Sequence, residues 1–202
     1  MNFVAFDLET TGIQPQNDYI VEIGAVKFID GAPQRSFGTL INPGIPIPPE
    51  ASAVNCITNE MLRGKPSIEE VMEPFADFCS DLPLVAHNAP FDYKFVLHVI
   101  KKYRTRAPKG VVLDTLILAR QVFPGLANYK LWTLVRYFDF PAGTFHRAEE
   151  DSVYCGRLFL KIIQVLEKRM EYVSLDDLVK MMGKSEMRFP QYVPQSDQLR
   201  LF

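Results

Sequence analysis

Two carboxylates stand at the end of an apolar run near the start of the chain. The run FVAF at residues 3–6 leads into Asp7 and Glu9, and the Thr-Thr-Gly that follows predicts a turn. Residues two apart on a strand point to the same side, about 7 Å from each other. The pair could be solvated at an exposed strand end, but so apolar a strand is expected to be buried, where unpaired carboxylates are costly. Oxygen ligands without cysteine suit Mg²⁺ or Mn²⁺, so the motif favours a metal site.

The rest of the chain alternates between strand-like and helix-like segments. β-Rich segments at 20–29 and 35–41 predict a hairpin that forms a meander with the first strand, followed by a proline-rich extended connection at 42–51. Further strands are predicted at 82–86 and 111–113. Helices are predicted from a capping box at Ser67 to Phe78, from Asn88 as the N-cap to Ile100, and at 131–138, 149–168 and 174–182. The pattern predicts an α/β fold, with a mixed sheet covered by helices.

The length and composition of the chain exclude several classes of protein. With 202 residues, 48% of them hydrophobic and 23% charged, the chain has room for one globular domain and a short appendage. No run approaches the roughly 18 apolar residues of a membrane helix, and Asp7 and Glu9 come too early for an export signal. Three cysteines without a CxxC pair argue against a disulfide framework or a zinc ribbon, so a reducing cytoplasm is expected. The net charge of −2 gives no global attraction to nucleic acid, but it does not exclude a nucleic-acid enzyme.

Two more acidic residues stand where helices are expected to begin. Asp92 and Asp151 would each be favoured there by the helix dipole, with or without a catalytic task. His146 precedes Asp151 by five residues, and on a helix the two would lie about 140° apart, so they share a site only if His146 precedes the regular helix. A loop histidine beside a metal ligand suits a proton acceptor. His87 and His98 are expected to be structural.

These residues fall into three ordered motifs that resemble the DEDDh, or DnaQ-like, group of 3′ to 5′ exonucleases, and most closely its proofreading members. The three motifs are DxE at Asp7 and Glu9, HNxxFD at His87, Asn88, Phe91 and Asp92, and HxAxxD at His146, Ala148 and Asp151. A sister group carries a tyrosine four residues before the last Asp, where this chain has Arg147. The order and spacing of the motifs therefore favour the histidine group.

The resemblance implies a fold, a cofactor and a set of site residues. The fold is the ribonuclease H-like exonuclease fold of the α/β class, a mixed five-stranded sheet with helices on both faces. Two Mg²⁺ or Mn²⁺ ions would be held by Asp7, Glu9, Asp92 and Asp151, with His146 as the general base. Thr10, Ile57 and Asn88 are expected to contact the substrate, a single-stranded or frayed 3′ DNA end that is released as nucleoside 5′-monophosphates. One loop departs from the family's HGIT, with Asn55 and Cys56 replacing its first two residues.

The chain after the last motif is expected to be an appendage. Residues 1–169 are assigned to the exonuclease domain and 170–202 to a C-terminal extension, with a tail from residue 189. The last five residues resemble the bacterial sliding-clamp-binding peptide QL(S/D)LF, with Arg200 at its variable position. The clamp would bind Gln198, Leu199, Leu201 and Phe202, and a polymerase subunit is a possible second partner, whereas no membrane partner is expected. The alternative is that these apolar residues fold back on their own domain.

Three functions remain open at this point. The leading one is DNA proofreading or repair, and the nearest rival is RNA 3′-end trimming by the same chemistry, since 2′-OH recognition depends on pocket shape. A non-catalytic clamp or polymerase scaffold is disfavoured because all five catalytic positions are filled.

A basic cluster has two open interpretations: it could line the path of a nucleic-acid strand, or it could solvate a helix end. Its members are Lys101, Lys102, Arg104, Arg106 and Lys109.

Overall fold

The computed structural model describes residues 1–141, 147–183 and 186–192, and within these ranges the chain forms five strands and eight helices. The strands are β1 (Phe3–Thr10), β2 (Ile20–Ile29), β3 (Ala32–Leu40), β4 (Leu84–Ala86) and β5 (Val112–Asp114). The helices are α1 (Pro49–Asn55), α2 (Asn59–Leu62), α3 (Ile68–Cys79), α4 (Pro90–Tyr103), α5 (Thr115–Val122), α6 (Leu131–Tyr137), α7 (Ala148–Glu167) and α8 (Leu175–Met182). None of these described helices is long and apolar enough to cross a membrane.

The sheet is mixed, with strand order β3-β2-β1-β4-β5. The pairs β1–β2 and β2–β3 are antiparallel, while β1–β4 and β4–β5 are parallel. The apolar first strand lies at the centre because its side chains can be buried on both faces. The predicted five-stranded mixed sheet, including the meander of its first three strands, is confirmed.

Helices cover both faces of the sheet, as expected. Side chains of β1 alternate between two cores: Val4, Phe6 and Leu8 pack with α3 and α4, whereas Phe3 and Ala5 pack with α5, α7 and α8. Alternation places the side chains of Asp7 and Glu9 on the same face as Phe3 and Ala5. The two acidic residues therefore face the layer that contains α7.

The first turn of α7 packs directly on β2 at Gly24. A Cβ atom at Gly24 would lie 2.0 Å from the carbonyl carbon of Ala148 and 2.1 Å from the backbone nitrogen of Glu149. The hydroxyl of Ser152 donates to the Gly24 carbonyl oxygen at 2.9 Å. Since Gly24 is the register partner of Asp7, this contact brings the start of α7 beside Asp7.

Two local predictions are wrong. The extended connection expected at 42–51 ends earlier, because Pro49 begins α1 at a position where a fixed φ and a missing N–H suit a first helical turn. Asn88 does not cap α4: the N-cap is Ala89, without a side-chain hydrogen bond, and Asn88 lies before it at a φ of 64°. Asn and Asp tolerate this left-handed conformation better than most residues.

The described part of the predicted extension packs against the rest of the domain. Leu178 and Met182 of α8 are buried in the α7-side core, and Phe189 is buried on the other side, where its ring stacks on Tyr93. The tail expected from residue 189 is therefore wrong for residues 189–192, since Gln191 also donates to the carbonyl of Pro108 at 3.2 Å. The four predicted clamp-binding residues lie outside the described residues, and the division at residue 169 stays a prediction.

The close contact at Gly24 gives a stability prediction. We expect Gly24→Ala to lower the free energy of unfolding by about 1–3 kcal/mol, because the added methyl group meets helix backbone that must shift. Urea unfolding of the purified variant measures this cost. The matched control is Gly38→Ala, on the strand position opposite Gly24, whose Cβ would meet only the movable carboxylate of Glu149. Equal stabilities for the two variants would contradict the packing argument.

Candidate active site

Three carboxylates from two elements converge on the α7 side of the sheet. Asp7 and Glu9 lie near the end of β1, and Asp151 lies in the first turn of α7. One oxygen from each of these half-buried residues lies within 4.8 Å of the others. The predicted grouping of the first and third motifs is thus present in the geometry.

Burial and mutual repulsion disfavour the charged forms of this cluster. Burial raises the pKa of Asp7 well above its usual value, and the charges of Asp92, Glu9 and Asp151 raise it further. Burial also raises the pKa of Glu9 to about 7, with Asp151 and then Glu22 adding to the rise and Arg147 opposing it. A group of carboxylates this close needs protons or a cation to be stable.

Asp92 approaches the cluster from the opposite helical layer. It lies in the first turn of α4, as expected, and is only 2% exposed. Burial raises the pKa of its carboxyl group to about 8, although the backbone amides of Asp92 and Leu8 oppose this rise. Its Oδ1 atom is buried without a hydrogen-bond partner among the described residues. A buried carboxylate oxygen without a partner is costly unless an ion or water satisfies it.

These four acidic residues fit a divalent cation. The donors are all hard carboxylate oxygens, the ligand type that Mg²⁺ and Mn²⁺ prefer. Cys155, the nearest candidate for a soft ligand on α7, is buried, and burial raises the pKa of its thiol well above the usual value. The orphaned oxygen of Asp92 and the mutual repulsion of the others are both relieved by a cation of charge two.

An ion pair between buried Glu22 and half-exposed Arg147 fixes the start of α7, and sequence reasoning missed it. Glu22 on β2 is the register partner of Glu9. Its carboxylate accepts from the Arg147 guanidinium at 2.7, 3.1 and 3.2 Å and from the Ala148 amide at 3.2 Å. The only signal in the sequence was a single acidic residue inside the apolar run IVEIGAV. Because the partner is 125 residues away in sequence, the pairing itself could not be read from that run.

The second motif provides a rigid support as well as Asp92. His87 contacts the Thr115 hydroxyl at 2.9 Å and the Tyr129 carbonyl oxygen at 2.8 Å, and burial lowers the pKa of its imidazole. The neutral ring therefore donates to Tyr129 and accepts from Thr115, which is the structural role expected. The next residue, Asn88, donates its backbone N–H to Asp114 at 3.1 Å and leaves its side chain exposed.

His146 lies outside the described residues. The third motif is described from Arg147 onward, and α7 begins at Ala148, two residues after His146 in sequence. The role of His146 as a proton acceptor stays a prediction.

Comparisons with known proteins identify the family of this chain. The family model described as "Exonuclease" matches residues 4–159. The chain belongs to this exonuclease family. The resemblance drawn from the three motifs is confirmed.

Two curated relatives of the exonuclease are DNA polymerase III proteins. The epsilon subunit of DNA polymerase III from Aquifex aeolicus is 37% identical over 181 residues, which cover 88% of this chain and 90% of that protein. The PolC-type DNA polymerase III of Caldanaerobacter subterraneus is 40% identical over 166 residues, but the match covers 82% of this chain and only 12% of that polymerase.

A solved structure supports the fold. Exonuclease X, in complex with 5′ overhanging duplex DNA, superposes with a TM-score of 0.72 at 28% identity, and the match covers 90% of this exonuclease and 99% of that chain. The ribonuclease H-like fold expected from the motifs is therefore confirmed.

The residues predicted to contact the substrate differ in how far they are exposed to solvent. Thr10 is half-buried beside the carboxylates, and its hydroxyl donates to the Gly12 carbonyl at 2.6 Å. Ile57 has no exposed surface, because it packs in a small apolar cluster with Val21 and Leu62. The Ile57 side chain therefore has no surface exposed to a nucleotide in this structure, and its predicted substrate contact stays a prediction.

The loop that departs from the family pattern is held by its unusual residue. Asn55 is buried, and its side chain accepts from the Ile57 amide at 3.0 Å and donates to the Thr10 carbonyl at 3.4 Å. Cys56 is exposed at a φ of 58°, where the family usually has glycine. Asn55 thus links the loop to the end of β1, beside Glu9.

The raised pKa of Asp92 predicts a change in stability of the metal-free exonuclease. Its folded pKa of about 8 exceeds the unfolded value of 3.8, so the folded state loses stability as the pH rises through that interval. Asp92→Asn removes this loss. With chelator at pH 8, we expect the variant to be more stable than the wild type by about 1 kcal/mol or more, or roughly 2–4 °C in Tm. The difference should disappear near pH 4.

A thermal unfolding series from pH 4 to pH 8 measures this effect. Asp176→Asn is the matched control, because Asp176 also lies in a first helical turn, of α8, but is exposed. That variant should show no gain, since it loses only a favourable interaction with the helix dipole. A pH-independent gain, or an equal gain for Asp176→Asn, would refute the burial argument.

Proposed function

We propose that this exonuclease removes nucleotides from the 3′ end of DNA, with divalent cations, for replication proofreading or repair. The observation that carries the proposal is the convergence of Asp7, Glu9 and Asp151 within 4.8 Å, beside the orphaned oxygen of Asp92. The names of the curated relatives and the DNA-bound neighbour support DNA as the substrate. Both the epsilon subunit and the PolC-type polymerase are named as DNA polymerase III proteins, which favours a role in DNA synthesis.

Each acidic residue has a defined task in this proposal. Asp7, Glu9 and Asp151 would hold one Mg²⁺ or Mn²⁺, and Asp7 and Asp92 would support the second. When bound, the two cations neutralise charge on the attacked and departing oxygens and make a nucleophile available near neutral pH. The Glu22–Arg147 pair and the Gly24 contact keep Asp151 at the end of β1, so the ligands do not have to be gathered from mobile elements.

His146 accepts the proton of the attacking water in this proposal. The unperturbed pKa of histidine is about 6.5, which suits a base near neutral pH. The side chains of Thr10 and Asn88 lie on the two segments beside the carboxylates and orient the terminal nucleotide. The products are nucleoside 5′-monophosphates. The three cysteines are free thiols, which suits a reducing cytoplasm as the compartment where the enzyme acts.

Degradation of a 5′-labelled strand tests the proposal. A Mg²⁺- or Mn²⁺-dependent ladder should shorten single-stranded DNA faster than matched RNA and should stop with chelator. Asp7→Ala should abolish it, whereas His146→Ala should lower the rate roughly 10²- to 10⁴-fold and still bind metal. Asp81→Ala, at an exposed residue paired with Lys109, serves as the control variant.

The possible outcomes separate the alternatives. Faster RNA trimming would assign the enzyme to RNA maturation, and no ladder on either strand would favour a non-catalytic scaffold. Wild-type rates for His146→Ala across the pH range would remove the general-base assignment.

We further propose that residues 198–202 bind a bacterial sliding clamp. The support is the QLRLF sequence at the end of the chain together with the replication proteins among its relatives. Deletion of Leu201 and Phe202 should weaken clamp binding in a pull-down titration, since these apolar anchors would fill a groove on the clamp. Hydrolysis of short oligonucleotides should not change, because the anchors lie far along the sequence from the catalytic motifs. Undiminished clamp affinity would rule out the peptide.

A further inference from the structure

A groove of about 430 Å³ lies between α4 and the loop that follows β1. One wall is the loop segment at residues 13–16, and the other is formed by Lys94, Leu97, His98 and Lys101. The loop follows Glu9 and Thr10 at the end of β1, and Lys94 comes two residues after Asp92 on α4. Both walls of this α4 groove therefore begin at elements that carry the acidic residues.

Two lysines of the α4 groove are available to an anion. Lys94 and Lys101 are exposed, and neither forms an ion pair within residues 1–141, 147–183 and 186–192. Seven residues apart on a helix, they share one side and lie about 10 Å from each other along the axis. That distance matches about three stacked nucleotides at 3.4 Å each.

The other members of the basic cluster have different contacts. Arg106 pairs with Asp77, and Lys109 pairs with Asp81 at 3.1 Å. The Lys102 ammonium lies over the ring of Tyr103 at 4.9 Å. The cluster predicted from the sequence is thus divided, and of its five cations only Lys101 is among the described residues that line the α4 groove.

The loop that faces α4 is held by its own hydrogen bonds. The Thr11 amide donates to the Tyr19 carbonyl oxygen, and the Tyr19 amide donates to the Thr11 hydroxyl, both at 2.9 Å. Within the loop, the backbone N–H of Gln14 donates to the Asp18 carboxylate at 2.8 Å. The wall is therefore formed before a ligand binds, and the carboxylate of Asp18 is engaged inside the loop.

A second groove, near Glu22 and the start of α7, differs from the α4 groove in the charge of its lining. It has a volume of about 650 Å³, and its lining includes Glu22, Glu149 and Glu150 together with Lys65 and Arg147. Arg147 is neutralised by Glu22. No carboxylate is among the described residues that line the α4 groove. The charges of the two grooves would therefore attract a polyanionic strand to the α4 groove and repel it from the second one.

We propose that the α4 groove binds the backbone of the nucleotides that precede the cleaved one, with phosphates at Lys94 and Lys101. This inference rests on the proposed function, because it places the remainder of the substrate of the same site. It predicts that affinity grows with strand length over the first few nucleotides and then levels off. The phosphates position the strand without reading its sequence.

The test compares two substrates and two double variants. The p-nitrophenyl ester of thymidine 5′-monophosphate lacks upstream nucleotides and reports on the reacting site alone, whereas an eight-nucleotide oligo(dT) also needs the groove. For Lys94→Ala/Lys101→Ala, the ratio of kcat/KM for the oligonucleotide to kcat/KM for the ester should fall roughly tenfold, through KM. The double variant Lys168→Ala/Lys180→Ala removes the same charge at the far end of α7 and on α8, and its ratio should match the wild type.

Salt dependence provides a second readout that a folding defect would not imitate. The slope of log(kcat/KM) against log[salt] for the oligonucleotide should become less steep by about 1.4 in Lys94→Ala/Lys101→Ala, at about 0.7 for each lost phosphate contact on a single strand. An unchanged ratio with an unchanged slope, or equal changes in the control variant, would overturn the groove assignment.

Failure of the proposed function would be recognised separately. If the wild type hydrolysed neither substrate, the catalytic proposal would fail, and the groove would be tested by the fluorescence anisotropy of labelled oligo(dT) in the presence of chelator. The same roughly tenfold loss of affinity in Lys94→Ala/Lys101→Ala supports the groove, and equal affinities refute it.

Discussion

The close packing of the α7 N-terminus on β2 is the contact on which the site depends. Gly24 leaves room for the helix backbone, and Glu22 binds both the side chain of Arg147 and the amide that follows it. Both β2 residues are register partners of the acidic residues on β1. One short stretch of β2 therefore aligns a helix from late in the chain with a strand from its beginning, and Asp151 meets Asp7 as a result.

This arrangement holds the buried carboxylates close enough to repel one another in the folded protein. The central strand and the helices on both faces remove water from the carboxylates, so burial raises their pKa values before their neighbours add to the effect. The packing of the two apolar cores must outweigh this cost in the metal-free state. Divalent cations would reverse it, since the same low-dielectric surroundings that penalise an unpaired carboxylate strengthen its attraction to a cation. Metal binding and folding would then be coupled through the same residues.

Much of the fold and the site could be predicted from the sequence, because the responsible signals are local. The apolar run that ends in Asp7 and Glu9 predicts a buried strand, and the capping box at Ser67 begins α3 where expected. Long-range contacts were not readable: the partner of Glu22 lies on α7, and Ile57 is buried through contacts with β2 and α2 that its own loop sequence does not reveal. The cap expected at Asn88 failed because Asn88 has a left-handed backbone, at a φ of 64°, and not the extended backbone typical of an N-cap.

The most direct test of this account is a Mn²⁺ titration of the protein, followed by the electron paramagnetic resonance signal of the free ion. We expect two ions per chain for the wild type, with protons released near pH 7 because Glu9 and Asp92 are partly protonated without metal. Asp151→Asn should weaken the binding by roughly tenfold or more, since a ligand delivered by α7 is lost. Unchanged binding in Asp151→Asn, or no saturable binding in the wild type, would contradict the claim that the approach of α7 assembles a metal site.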